Sequence, residues 1–407
     1  MKRRKFLKNS MLGAASATYL MSNPSSAFSL INVQEPLIKN LKSQFPSPVI
    51  IDSIDILHFK GNYLVRVTSE DGYVGISQAN SRLKNTLTFF KNQVAGYFLN
   101  KDAREIEKLV DQVYVIKRNY KYAGLTLWNS VAHIEIAILD MLGKAAGLPV
   151  NQMIGHVKRT EIPVYMSSTE RGTTAEEEVE WVSKRVEETN SNAVKLKIGG
   201  RMSKNKDAYL GRSEDLIKLS REVWEEDFTI YFDANGSYDV AKAIEMGKML
   251  QDYNIGFYEE PVPWEDFAGT KEVNEGLSMN VAGGEQDNSL YKWKWMIKNR
   301  AFDIAQPDIM YNGGMIRSLQ VARMCDEAGI PCTLHSPKHN ALASYMLHFA
   351  SIVKDPGAHQ EFRAKPPKDE SYFSPNFKVK NGQLSVPEGP GFGIDFDPGY
   401  LKKCEKV

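Results

Sequence analysis

Cysteine is scarce in this 407-residue sequence: the three present, Cys325, Cys332 and Cys404, form an odd and widely spaced set. That excludes a disulfide framework and the paired spacings of a zinc site, so free thiols are expected. Charge of one sign is lacking too. Lys and Arg number 51 and Asp and Glu 50, for a formal net charge of +1. With no basic stripe in the body of the chain, a nucleic-acid partner has no electrostatic support. Nothing in the composition departs toward a membrane bundle, a collagen-like repeat or a disordered chain. No Gly-rich phosphate fingerprint follows any strand, which argues against an open dinucleotide-binding sheet. What is present is ordinary globular composition, 42% hydrophobic and 25% charged. The length suits a small domain beside a barrel of roughly 250 residues.

The first 27 residues differ from the rest. Lys2, Arg3, Arg4, Lys5 and Lys8 occur with no acid and precede a small, apolar run from Met11 to Met21. Arg3-Arg4-Lys5-Phe6-Leu7-Lys8 resembles a twin-arginine export motif, and Ser25-Ser26-Ala27 resembles a signal-peptidase site. Residues 1–27 are therefore read as a signal peptide, and a periplasmic or otherwise exported location is expected. The run is short and rich in Ser and Ala, so no stable membrane insertion is expected after cleavage. Removing five positive charges takes the net charge from +1 to −4.

From Pro48 to Ala79 apolar residues alternate in three runs, Val49 to Ile51, Tyr63 to Val67 and Tyr73 to Ile76, separated by Lys60-Gly61-Asn62 and Ser69-Glu70-Asp71-Gly72. This predicts an antiparallel meander. Helical periodicity follows from about Leu83 and stops at Gly147 and Pro149. Strands followed by helices indicate an α+β domain over 45–155. After Glu161 short apolar strands alternate with amphipathic helices. The strand candidates are Ile162 to Ser167, Ala193 to Ile198, Thr229 to Asp233, Gly256 to Glu259, Asn280 to Gly283, Asp303 to Pro307 and Ile330 to His335. Repeated βα units predict a parallel sheet over 160–373, closed into a barrel because chemistry rises from so many successive strands.

The ends of those strands carry Lys195 and Lys197, Asp233 and Asn235, Glu259 and Glu260, Glu285, Asp308 and His335. From Lys197 onward the gaps are 36, 26, 26, 23 and 27 residues, each close to one unit of a barrel with roughly 250 residues in eight units. In a barrel these positions converge at the carboxyl-terminal mouth. Asp233, Glu259 and Glu285 aimed at one point repel one another unless a divalent cation sits among them, and an all-oxygen set favours Mg²⁺ over zinc. Lys195 and Lys197 are two apart on a strand and share a face. Burial beside a cation is expected to lower the pKa of one, and Lys197, nearer the strand end, is the candidate base, with Lys195 the cation for a substrate carboxylate. Asp308 and His335 end neighbouring strands. A carboxylate there fixes the imidazole tautomer through Nδ1–H and leaves Nε2 for proton transfer.

With these residues in view the chain resembles the mandelate racemase subgroup of the enolase superfamily. The matching stretches are Val194-Lys195-Leu196-Lys197-Ile198-Gly199, Phe232-Asp233-Ala234-Asn235-Gly236, Tyr258-Glu259-Glu260-Pro261, Gly283-Gly284-Glu285, Gln306-Pro307-Asp308 and His335-Ser336. The resemblance implies an α+β capping domain on a modified (β/α)₇β TIM-type barrel, with a segment 374–407 returning to the cap. It implies a Mg²⁺ ion held by Asp233, Glu259 and Glu285, and abstraction of the proton α to a carboxylate through an enediolate. It places Lys197 on one face of the substrate and His335 with Asp308 on the other. It also implies that Glu361, 26 residues past His335, hydrogen-bonds the substrate carboxylate, for which it must hold or share a proton.

Two departures bear on specificity. Ser77-Gln78 stands where many relatives have Glu, and Lys338-His339-Asn340 follows His335 where small residues are common. Both are expected to border the substrate. The function expected is dehydration of an acid sugar to a 2-keto-3-deoxy acid. A racemase, epimerase or cycloisomerase on a related carboxylate is the first alternative, and a non-catalytic binding protein for acidic sugars the second. A small carboxylate is the expected partner, and a homo-oligomer the expected assembly.

Overall fold

The computed structural model describes residues 37–38, 41–366 and 371–407. The twin-arginine-type segment 1–27 lies outside the described residues. The first sheet is the meander read from sequence, β1 (Ile51–Phe59), β2 (Asn62–Ser69) and β3 (Val74–Gln78), joined antiparallel. Its first strand lies further along than the apolar run at 49–51 suggested. Asp52, Asp55 and His58 hide it from a hydrophobicity reading, and a bulge between Ile51 and Ser53 shifts the register. Glu405–Lys406 adds a fourth strand to this sheet by pairing antiparallel with Leu57 and His58.

The periodicity beginning at Leu83 resolves into short helical turns up to Tyr122, interrupted where Lys117 and Arg118 adopt left-handed backbone. The continuous helix is Leu125–Ala146, ended by Gly147 at φ 65°, a conformation glycine enters without a Cβ clash. This helix is long and apolar enough to cross a membrane by length and composition, yet 89% of its most apolar window is buried inside the protein. It packs on β3 so closely that a Cβ added at Gly75 would lie 2.0 Å from Ala137 O and 2.3 Å from Met141 N. Both are backbone atoms that cannot rotate away. Gly75→Ala is therefore expected to cost at least the roughly 1–3 kcal/mol typical of overpacking, read as a lowered melting temperature. An unchanged melting temperature would show that helix and sheet can part without penalty.

The second sheet is parallel: β4 (Glu161–Ser167), β5 (Ala193–Lys197), β6 (Thr229–Asp233), β7 (Phe257–Glu259), β8 (Asn280–Gly283), β9 (Ile304–Ala305) and β10 (Gln360–Arg363), with β10 paired to β4. Residues 330–335 fill the place between β9 and β10 without forming a regular ladder. Cys332 bridges Ala305, and His335 N donates to Pro307 O at 3.1 Å. Pro331 and the backbone of Asp355, which accepts from Cys332 N at 3.0 Å, divert the pairing there. The strand expected over 303–307 is likewise reduced to two residues.

Alternation sorts each strand. Val194, Leu196, Ile230 and Phe232 join the large core beneath the outer helices, whereas Tyr165, Ala193, Tyr231, Phe257 and Ala282 form a separate apolar cluster. Tyr231 and Phe257 stack at 3.9 Å within it. One step further along the same strands the inward positions become Lys195, Asp233 and Glu259. The apolar plug thus supports a polar layer at the carboxyl-terminal mouth.

Candidate active site

Strand register brings the ladder together. Lys197 is paired with Asp233 across β5 and β6, and Asp233 with Glu259 across β6 and β7, so the three side chains leave one level of the sheet on one face. Glu285, two residues beyond β8, joins them, and ligand oxygens of Asp233, Glu259 and Glu285 all lie within 4.8 Å of one another. All three are buried. Glu259 Oε1 is buried without a hydrogen-bond donor, and the adjacent carboxyl of Glu260 is pushed well up by burial and by Glu285, Asp233 and Glu259. A buried all-oxygen donor set with an unsatisfied lone pair fits a hard divalent cation.

Lys195 is fully buried, with Nζ 2.6 Å from Glu259 Oε2 and 2.9 Å from Glu361 Oε1, above the ring of Tyr165 at 5.1 Å. Burial alone would lower its pKa, but Glu259 and Glu361 hold it well above the ordinary value. The lowered ammonium anticipated for one of the pair is thus not Lys195, whose two carboxylates outweigh the burial. Lys197 forms an ion pair with Asp233. Burial pushes Glu259 up to about 7 against the opposing pull of Lys195.

Asp308 caps the short helix Ile309–Asn312. Its Oδ1 accepts from Met310 N at 2.7 Å and Tyr311 N at 3.1 Å, which aims Oδ2 at His335 Nδ1, 2.9 Å away. The expected dyad is formed. Nε2, however, is not free: it lies 3.1 Å from Glu285 Oε2 and 3.9 Å from Glu361 Oε2. Burial opposes the charged ring, but Glu285, Asp308 and Glu361 together push its pKa up to about 9.

Two of the residues singled out in the sequence have partners distant along the chain. Glu361 lies between Lys195 Nζ, 2.9 Å from its Oε1, and His335 Nε2, 3.9 Å from its Oε2. Burial favours the neutral form, but Lys195 and His335 hold the carboxyl below its ordinary range, and it also accepts from Ser167 Oγ at 2.7 Å and Ser336 N at 2.9 Å. The Gln78 amide is engaged within the protein. Its Nε2 donates to Tyr372 Oη at 2.7 Å and its Oε1 accepts from Ala341 N at 3.2 Å, tying the cap to the loop after His335.

In the sequence no role attaches to Gln306, whose Nε2 donates to Glu259 Oε2 at 2.9 Å, or to Arg171, whose Nη2 donates to Asn235 Oδ1 at 2.7 Å beside Asp233. Gln306 stands next to the Pro307-Asp308 pair already marked. Arg171 lies in an irregular loop after β4 with no local signal.

Two family models match this chain. One, described as enolase C-terminal domain-like, spans residues 177–400; the other, the mandelate racemase / muconate lactonizing enzyme N-terminal domain, spans residues 44–155. The chain belongs to the mandelate racemase/muconate lactonizing enzyme group of the enolase superfamily, and it is an enzyme. It is 27% identical over 348 residues to the arabinonate dehydratase of Saccharolobus solfataricus, covering 83% of this chain and 90% of that protein. With the D-galactarolactone cycloisomerase of Agrobacterium fabrum it shares 26% over 358 residues, covering 84% and 90%. The crystal structure of a mandelate racemase/muconate lactonizing protein from Paracoccus denitrificans complexed with magnesium superposes with a TM-score of 0.80 at 26% identity, covering 88% of this chain and 99% of that one.

Proposed function

We propose that the protein is a Mg²⁺-dependent acid-sugar dehydratase. It takes the proton from the carbon α to a carboxylate and expels the neighbouring hydroxyl as water, leaving a 2-keto-3-deoxy acid. One observation carries the reading: Lys197 touches the Asp233 end of the acid triad and His335 the Glu285 end, so two proton-transfer groups flank the place where a carboxylate would bind. Dehydration uses such a pair, one group to accept the α-proton and one to protonate the departing hydroxyl. The likeness to an arabinonate dehydratase supports the reaction class, and the magnesium complex of a solved relative supports the metal.

Asp233, Glu259 and Glu285 would hold the ion, which supplies positive charge where negative charge builds on the substrate carboxylate. Lys195, fixed between Glu259 and Glu361, presents a permanent ammonium to that carboxylate. Lys197, as the neutral amine freed from its ion pair with Asp233, accepts the α-proton and becomes the ammonium. His335, held in one tautomer by Asp308, gives its proton to the C3 hydroxyl, which leaves as water. The enol then takes a proton at C3 and becomes the ketone.

A screen of sugar acids, read by 2-keto-acid formation and by α-proton exchange in D₂O, tests this. Keto acid is expected from at least one of them. Exchange without keto acid would move the protein among the racemases, epimerases and cycloisomerases, a class the 26% identical cycloisomerase already represents. Neither signal with Mg²⁺ present would leave a binding protein.

We further infer export, from residues 2–27 alone. The mature amino terminus is expected near Phe28, and replacing Arg3 and Arg4 by Lys should hold the precursor in the cytoplasm. N-terminal sequencing that finds Met1 intact on protein outside the cytoplasm contradicts the cleavage.

A further inference from the structure

Two segments of the cap carry no acid. Residues 72–101 and 112–134 contain neither Asp nor Glu, in a chain where 50 acids answer 51 bases. The two segments touch. Lys117 Nζ donates to Asn92 O at 2.9 Å, Asn119 Nδ2 donates to Gln93 O at 3.4 Å, and the rings of Phe89 and Tyr122 meet edge to face at 5.0 Å. Together they expose Lys84, Lys91, Lys117, Arg118 and Lys121, and among the described residues none of the five forms an ion pair. The bases are too spaced to read as a stripe along the chain; the missing acids mark the surface, with Asp111 at its border. The same stretch exposes apolar groups. Val115 is 61% exposed, and Tyr114, Tyr120 and Tyr122 are 39%, 46% and 48% exposed. The turn that presents them is held in place: Lys117 and Arg118 take left-handed backbone, buried Asn119 donates to Val113 O at 3.0 Å, and Tyr114 stacks on Trp128.

Clustered exposed apolar groups mark an interaction site, and bases without acids call for an anionic partner. A second copy of this chain fits poorly, because a two-fold contact would set these bases against themselves. An acidic polysaccharide or a nucleic acid can stack on the tyrosine rings, but gains little from Val115, an aliphatic side chain standing in water. A bilayer uses all three kinds of group: the aliphatic tip reaches the acyl boundary, the tyrosines lie at headgroup level and the bases meet anionic headgroups. We propose that the cap surface around Val115 adsorbs reversibly to anionic phospholipid bilayers, with Val115 and the three tyrosines as the apolar contact and Arg118 and Lys121 as the charged one. Such adsorption is peripheral, inserts no segment of the chain and is independent of the reaction at the barrel mouth.

The test is co-sedimentation with vesicles of equimolar phosphatidylcholine and phosphatidylglycerol, against vesicles of phosphatidylcholine alone. The full chain and the processed form beginning near Phe28 are both measured, so that lipid binding by the run from Met11 to Met21 is read separately. The processed form should bind the phosphatidylglycerol vesicles, come off them at high salt and leave phosphatidylcholine alone. Arg118→Gln combined with Lys121→Gln should weaken binding roughly 25-fold, about fivefold for each base near the surface. Val115→Asp should weaken it by about tenfold or more, and Val115→Leu should keep it. These side chains are exposed, so melting temperature and oligomeric state should match wild type in every variant. Absence of phosphatidylglycerol-dependent binding by the processed form overturns the proposal, as does binding that survives both the double charge variant and Val115→Asp. Binding that falls with the bases, ignores Val115→Asp and is matched by polygalacturonate would make this a polyanion surface and overturn the bilayer. A changed oligomeric state in Val115→Asp without lipid binding would assign the surface to a second copy and overturn it equally.

Discussion

Replacing either Lys197 by Ala or His335 by Asn is expected to lower turnover by roughly 10² to 10⁴, the contribution typical of a general acid–base group. The two losses should differ in kind. If Lys197 accepts the α-proton, Lys197→Ala abolishes α-proton exchange in D₂O, whereas His335→Asn retains exchange and fails to release water. Reversal of that pattern would exchange the two roles, and wild-type turnover in both variants would remove the two-base reading. Asp308→Asn should act in the direction of His335→Asn, because an amide in place of Oδ2 no longer fixes the Nδ1–H tautomer across the 2.9 Å contact. Affinity for Mg²⁺ should not fall in any of the three. Lys197 and His335 place positive charge against Asp233 and Glu285, so removing either takes away a competitor for the carboxylates, not a ligand.

The second large effect concerns the acids themselves. Thorough chelation is expected to abolish turnover and Mg²⁺ to restore it. Asp233→Asn, Glu259→Gln and Glu285→Gln should each weaken Mg²⁺ binding by more than the roughly 10- to 100-fold that accompanies loss of an outer-shell partner. Isothermal titration of the metal into each variant reads the affinity without recourse to activity. Full turnover in chelator, or wild-type affinity in all three variants, would show that the triad is not a metal site. Glu259→Gln carries an additional expectation: Lys195 would keep Glu361 but lose its 2.6 Å contact with Glu259, leaving a buried ammonium with half its compensation. This variant should therefore melt at a lower temperature than wild type in the absence of metal.

The site was legible in sequence to the extent that its residues break an apolar rule locally. Lys195 and Lys197 stand out because Val194, Leu196 and Ile198 surround them, and Asp233 and Glu259 because each ends an apolar run. Period-two alternation then suffices to put them on one face, and equal spacing to put them on successive strands. What the sequence concealed is set by contacts distant along the chain. Glu361 looks like a free acid until Lys195 arrives 166 positions earlier in the chain, and Gln78 looks like a ligand contact until Tyr372 and Ala341 occupy its amide. The segment 330–335 reads as a strand because Ile330, Cys332 and Leu334 alternate, but Pro331 removes a donor and the ladder reduces to a bridge. β1 fails in the opposite sense, since Asp55 is neutralised by Arg66 on the neighbouring strand at 2.6 Å, a pairing invisible in a single run.

The pairing of Leu57 with Lys406 sets the order in which the molecule can be finished. These partners are 349 positions apart, so the sheet that β1 opens lacks the strand Glu405–Lys406 until the chain has been made that far. Until then the edge of β1 is an open row of backbone donors and acceptors, able to pair with any extended chain nearby. A nascent or carboxyl-terminally truncated chain would carry that edge exposed, and a cell making this protein must shield it for the time needed to synthesise everything between the two strands.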